Sequence, residues 1–156
     1  MTESPGLSQL LCFDLYAASR AVTACYRPLL EPLGLTYPQY LVMVVLWQRQ
    51  SCSVKELAAD LQLDYGTLTP LLRRLETNGL ISRERNAKDD RSVTIGLTDQ
   101  GAALRRPGQR VHQEICQALG LTAAQAAELQ TTLRTLAAAA GGLSQLHPTR
   151  RPAPTT

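Results

Sequence analysis

Four helix start and stop signals between Ser53 and Thr98 constrain this chain more than any other feature. Ser53, with Glu56 three residues later, makes a capping box for the helix VKELAADL. Asp64 caps the next, YGTLTPLLRRLETN, which Asn78-Gly79 ends. Two alternating runs follow, LISRERN and SVTIGL, on either side of a polar turn carrying Lys88, Asp89, Asp90 and Arg91. Two short helices and then a charged ribbon is the layout of a winged helix-turn-helix. Pro70 narrows the second helix: proline is tolerated in a first turn, where its missing N–H has no partner to lose. The helix is therefore expected to start near Gly66 or Thr67.

Leu68, Leu71, Leu72 and Leu75 form the buried stripe of that helix, and Ile81, Val93 and Ile95 point inward from the ribbon. Thr67, Thr69, Arg73 and Arg74 are left facing outward. Hydroxyls and free backbone N–H groups at a helix start hold phosphates, and arginine forks onto guanine edges in a major groove. Arg91 on the ribbon can enter an adjacent minor groove. The candidate DNA-reading set is thus Tyr65, Gly66, Thr67, Thr69, Pro70, Arg73, Arg74, Lys88, Asp89 and Arg91, with double-stranded DNA as partner. Net charge adds nothing, since Val54 to Leu97 holds seven Lys or Arg against seven Asp or Glu; only their placement argues. From Gly101 onward six arginines stand against Glu114 and Glu128, but they are scattered as on a solvated helix face.

The chain's 156 residues suit a single domain over 1–156, mainly α with a small β-wing. Residues 34–97 form the winged helix-turn-helix, and 7–33 and 98–146 are flanking dimerisation helices. From Leu7 to Leu30, apolar residues at three- and four-residue steps predict one amphipathic helix that Pro28 and Pro32 bound. LGLTYPQYLVMVVLWQRQ predicts a turn at Gly34 and a helix starting near Thr36 that is buried, with Trp47 in the core. Thr98 caps a helix that Pro107-Gly108 should interrupt, and Thr122 with Gln125 caps a last, alanine-rich helix through Leu146. Its alanines suit close packing against another helix. The tail 147–156 is expected to be disordered. No basic leader or apolar run of about 18 residues is present, which predicts a cytoplasmic protein without membrane contact. Cys12, Cys25, Cys52 and Cys116 have no metal-ligand spacing, so neither metal nor cofactor is expected.

The run DDRSVTIGLTDQG, Asp89 to Gly101, resembles the MarR-type winged-helix transcription regulators. LCFDLYAASR, LTYPQYLVMVVLW and LDYGTLTPLLRRLETNGLI sharpen the resemblance to the OhrR subgroup, the organic-hydroperoxide-responsive repressors, over roughly Leu10 to Leu119. The resemblance implies a homodimer on an inverted-repeat operator, with organic hydroperoxides as the signal. Cys12 matches the sensing cysteine, whose thiolate attacks a peroxide O–O bond to give a sulfenic acid. Cys116 lies near where two-cysteine members place a resolving thiol, in the divergent segment QEICQALG, and an intersubunit bridge to Cys12 is the preferred pairing. Cys25 and Cys52 have no matched role.

Tyr16 lies four residues from Cys12 and shares its helix face, whereas Tyr26 is 14 residues away, about 21 Å along a helix. Tyr26 therefore cannot reach Cys12 on its own helix. If Tyr26 and Tyr37 meet that sulfur, as the matching family positions do, they come from a partner subunit, where their O–H groups would favour the thiolate. A lone cysteine on an apolar helix is otherwise an ordinary small hydrophobe. The rival within the class is a regulator that binds a small phenolic or lipophilic ligand in the dimer cleft. A thiol peroxidase is the rival outside it, but no thioredoxin-like βαβ pattern accompanies the cysteine.

Overall fold

Leu10 sets where the first helix begins. In the computed structural model, which describes residues 6–86 and 89–146, Leu10 is extended (φ −95°, ψ 101°) after a 3-10 turn, Leu7–Gln9, and α1 runs Leu11–Leu30. Pro28 does not bound α1 but sits inside its last turn, where only two residues follow it; a second 3-10 turn, Glu31–Leu33, carries Pro32. Thr36 and Gln39 then close a capping box on α2, Tyr37–Arg49, with Pro38 in its first turn as expected.

The polar segment Ser51–Ser53 forms a short strand, β1, that no alternation in the sequence announces. α3, Val54–Leu61, and α4, Tyr65–Thr77, start at Ser53 and Asp64. Because α4 begins at Tyr65, Pro70 falls in its second turn rather than its first. That removes the N–H that would bond the carbonyl of residue 66, and the residue there is a glycine, which adapts most easily. Gly79 (φ +71°) reverses the chain after α4, and the Leu80 N–H bonds the Leu75 carbonyl at 3.0 Å.

β2, Ile81–Asn86, and β3, Asp89–Leu97, form the wing, and β1 adds to the other edge of β3, giving the antiparallel order β1-β3-β2. Ile81 pairs with Leu97 and Cys52 with Ile95; an irregularity at Arg85/Asn86 shifts the register toward the tip. Ile81 and Ile95 are buried and Val93 is half-buried, the inward set expected.

The core draws on five elements: Leu30 of α1, Val42, Met43 and Leu46 of α2, Leu57 of α3, Leu68, Leu72 and Leu75 of α4, and Ile95 of β3 are all sealed from solvent. α5, Asp99–Ala103, is capped by Thr98, whose Oγ1 accepts from the Gly101 N–H and donates to the Gly79 carbonyl. The expected interruption falls at Leu104 instead of Pro107-Gly108. Pro107 is the third residue of α6, Arg105–Leu119, where proline is tolerated. Gly108 is needed for contact, since a Cβ there would strike the Trp47 ring. α7, Ala123–Leu146, follows, capped by Thr122 and Gln125.

The chain divides into two compact units, one through Ile115 and one from Cys116. Within the second, Leu129 and Leu133 of α7 are exposed. The tail 147–156 lies outside the described residues.

Candidate functional site: a DNA-reading helix and an exposed cysteine

α4 presents two faces because its leucines recur at helical spacing. Leu68, Leu72 and Leu75 are buried, with Leu71 half-buried, while Tyr65, Gly66, Thr67, Thr69, Pro70, Arg73 and Arg74 are exposed. Seven of the ten expected DNA-reading residues therefore share one solvent-facing surface. Lys88 lies outside the described residues, as do the side chains of Asp89 and Arg91, whose backbone belongs to β3.

The start of this helix is already partly occupied. Asp64 Oδ1 accepts the Thr67 N–H at 2.8 Å, and Thr67 Oγ1 donates to Asp64 Oδ2 at 3.0 Å. Thr67 thus spends its hydroxyl proton on the cap, and Thr69 is left to present its hydroxyl. Those bonds hold the Asp64 carboxyl below the usual carboxylate range, and the Ser53 N–H and hydroxyl do the same for Glu56. Arg49 of α2 pairs with Asp60 of α3 at 2.9 Å, and Arg83 of β2 pairs with Glu76 of α4 at 3.2 Å.

Cys12 is the second residue of α1 and exposed, in a turn without a side-chain cap. Its neighbours Leu11, Phe13 and Tyr16 are 62%, 41% and 58% exposed, so this half of α1 carries an apolar surface that no described residue of its unit covers. Tyr16 leans along the helix toward Arg20, whose Nη1 donates to the phenol oxygen at 3.4 Å and whose guanidinium lies 5.4 Å from the ring centroid. The i, i+4 spacing could have flagged Arg20 beforehand.

Toward the other end of α1, Tyr26 and Leu30 are buried. The Tyr26 ring packs tilted against Tyr37 at 4.7 Å and against Tyr40 at 5.7 Å, and Tyr40 meets Trp47 edge-on at 5.9 Å. The Tyr40 hydroxyl donates to the Gly108 carbonyl and the Trp47 Nε1–H to the Gly101 carbonyl. Tyr26 and Tyr37 thus head an aromatic column that ends on α5 and α6. Tyr40 and Trp47 were legible only as core residues, because the column depends on how α1 and α2 cross. Since α1 is unbroken from Leu11 to Leu30, the separation of about 21 Å between Cys12 and Tyr26 holds within the chain.

Cys25 and Cys116 are exposed and Cys52 is buried; all four cysteines are thiols. Burial pushes the Cys52 thiol up, Glu56 and Asp60 reinforce this, and Arg49 opposes it. That is the environment of an inert thiol. Among the described residues no cluster of three His, Cys, Asp or Glu side chains could hold a metal ion, and no single helix is long and apolar enough to cross a membrane.

A leucine-docked helix with a polar outer face, flanked by a three-stranded wing, defines a winged-helix DNA-reading module. The family profile "Transcriptional regulator SarA/Rot" matches residues 24–105. The chain belongs to this MarR-like family of winged-helix transcription regulators. It is 52% identical over 99 residues to the organic hydroperoxide resistance transcriptional regulator of Bacillus subtilis, covering 64% of this chain and 67% of that protein. Against the regulator MgrA of Staphylococcus aureus it is 37% identical over 134 residues, 85% of this chain and 91% of that one. Reduced AbfR bound to DNA superposes with a TM-score of 0.76 at 33% identity, over 88% of this chain and 94% of that one. AbfR, from Staphylococcus epidermidis, is also solved with a disulfide formed and overoxidised on DNA, at TM-scores of 0.64 and 0.67.

Proposed function

We propose that this regulator is a homodimeric, cytoplasmic repressor that leaves an inverted-repeat operator when an organic hydroperoxide oxidises Cys12, derepressing peroxide-detoxification genes. The observation that carries the reading is the arrangement of α1. An exposed thiol lies in an exposed apolar turn at one end, and Tyr26, tilted against Tyr37, lies about 21 Å along the helix toward the other. Antiparallel pairing of two α1 helices covers the apolar turn and brings each Cys12 to the partner's tyrosines.

The Cys12 thiolate attacks the terminal peroxide oxygen, the O–O bond breaks, and the alkoxide leaves as an alcohol after taking a proton, giving Cys12 sulfenic acid. Attack by the Cys116 thiolate on that sulfur breaks the S–O bond and forms an intersubunit disulfide, and the hydroxide leaves as water after taking a proton from solvent. Tyr37 and Tyr26 sit at the head of the aromatic column, so displacing them moves Tyr40 and Trp47 against the carbonyls of Gly108 and Gly101. The helices that set operator spacing begin there.

In a mobility shift with operator DNA, cumene hydroperoxide should release the parent protein, and dithiothreitol should restore binding. Cys12→Ser should bind and fail to release; release of that variant would sink the assignment. A second reading rests on a cavity of about 650 Å³ lined by Tyr40, Trp47, Gln48, Arg105, Gly108 and His112, which fits a small phenolic effector. Release of Cys12→Ser by a phenolic acid alone would favour it.

A further inference from the structure

We infer that Arg83, on the wing, is a positioning residue that sets the angle at which α4 meets DNA. The inference rests on α4 being the reading helix. A helix docked only by a leucine stripe can still tilt about that stripe, and its tilt decides whether Thr69, Arg73 and Arg74 reach their partners together. Arg83 touches α4 at two levels. Its Nε lies 3.2 Å from Glu76 Oε2, and its Nη2 donates to the Thr69 carbonyl at 3.5 Å. The residues that make these contacts are seven apart, about two turns of α4, so one guanidinium ties two levels of the helix and resists tilt.

Four further features fit a brace. The Arg83 backbone pairs with Ile95, which is fully buried, so the strut stands on a fixed strand. Its Nε is buried and within ion-pair distance of Glu76 without an aligned hydrogen bond, so charge rather than a directional bond holds it and losing Glu76 strands it. The upper contact falls at Thr69, immediately before Pro70, where the α4 ladder lacks a bond. Arg73 and Arg74 are exposed, whereas the Arg83 side chain is only 27% exposed and turned onto the protein.

The test compares operator affinity and its salt dependence for the full-length parent, Arg83→Ala, Arg83→Lys, Glu76→Gln and the Arg83→Ala/Glu76→Gln double variant, each corrected for active protein. Arg83→Ala should weaken binding about tenfold in a dimer that loses about threefold per half-site, with Arg83→Lys intermediate. The double variant should bind no worse than Arg83→Ala, because both changes remove one brace. The slope of log affinity against log salt should stay at the parent value. A slope reduced by about one would make Arg83 a phosphate contact and overturn the inference. So would affinity within twofold of parent, or a lower melting temperature with unchanged affinity. Arg73→Ala/Arg74→Ala is the control: if it too leaves affinity unchanged, the reading of α4 has failed, not the brace alone.

Discussion

The reading module and the N-terminal half of α1 are both apolar by sequence, yet among the described residues of their unit only the module's apolar side chains are covered. In the module, Leu68, Leu72, Leu75 and Ile95 are sealed from solvent, and Cys52 beside them is buried, which pushes its thiol up. In the first turns of α1, Leu11, Phe13 and Tyr16 stand exposed around Cys12. The difference teaches where chemistry is available: a thiol in the self-sufficient region is walled off, whereas a thiol on an uncovered apolar face stays reachable by a peroxide.

The contrast breaks most directly in the module. Leu72→Ala should destabilise it by about 2–5 kcal/mol in urea or thermal melting, because a sealed side chain leaves a cavity. Phe13→Asp should leave the module's own fold intact and weaken dimerisation by about one to two decades, from roughly 1.5–3 kcal/mol of lost apolar burial. Sedimentation across a dilution series measures this; an unchanged dissociation constant would mean that the face is covered by something other than a second copy.

Acid gives the smallest and most local effect. The Asp64 and Glu56 carboxyls are held below their ordinary values, so the stability they contribute is present above the usual carboxylate range. It is lost as pH falls below about 4 and on through the depressed folded values. Amide exchange in the first turns of α3 and α4 should quicken there. Asp64→Asn and Glu56→Gln should flatten that dependence, and a dependence that survives both would place the titration elsewhere.

The elements read best from sequence were those with local causes. Ser53, Thr36, Asp64, Thr98 and Thr122 each cap a helix because a short side chain reaches back to its own first turn, and two of these caps also pull their acids down in pKa. Elements with distant causes were not legible. β1 is a polar Ser-Cys-Ser that extends because β3 offers it an edge, and the break at Leu104 lets Gly108 lie against Trp47. Pro70 misled because a proline rule about first turns ignored the glycine four residues before it. Arg83 showed only as one charge in an alternating strand, since its partners lie seven and fourteen residues upstream.

The central claim is that the sensor is shared between subunits, and a mixed dimer tests it most directly. One subunit carries Cys12→Ser, and the other carries Tyr26→Phe and Tyr37→Phe. In the shared arrangement the remaining Cys12 faces intact tyrosines of its partner and should be oxidised by cumene hydroperoxide at the parent rate per thiol. Oxidation at the slower rate of the double-phenylalanine homodimer would contradict the claim.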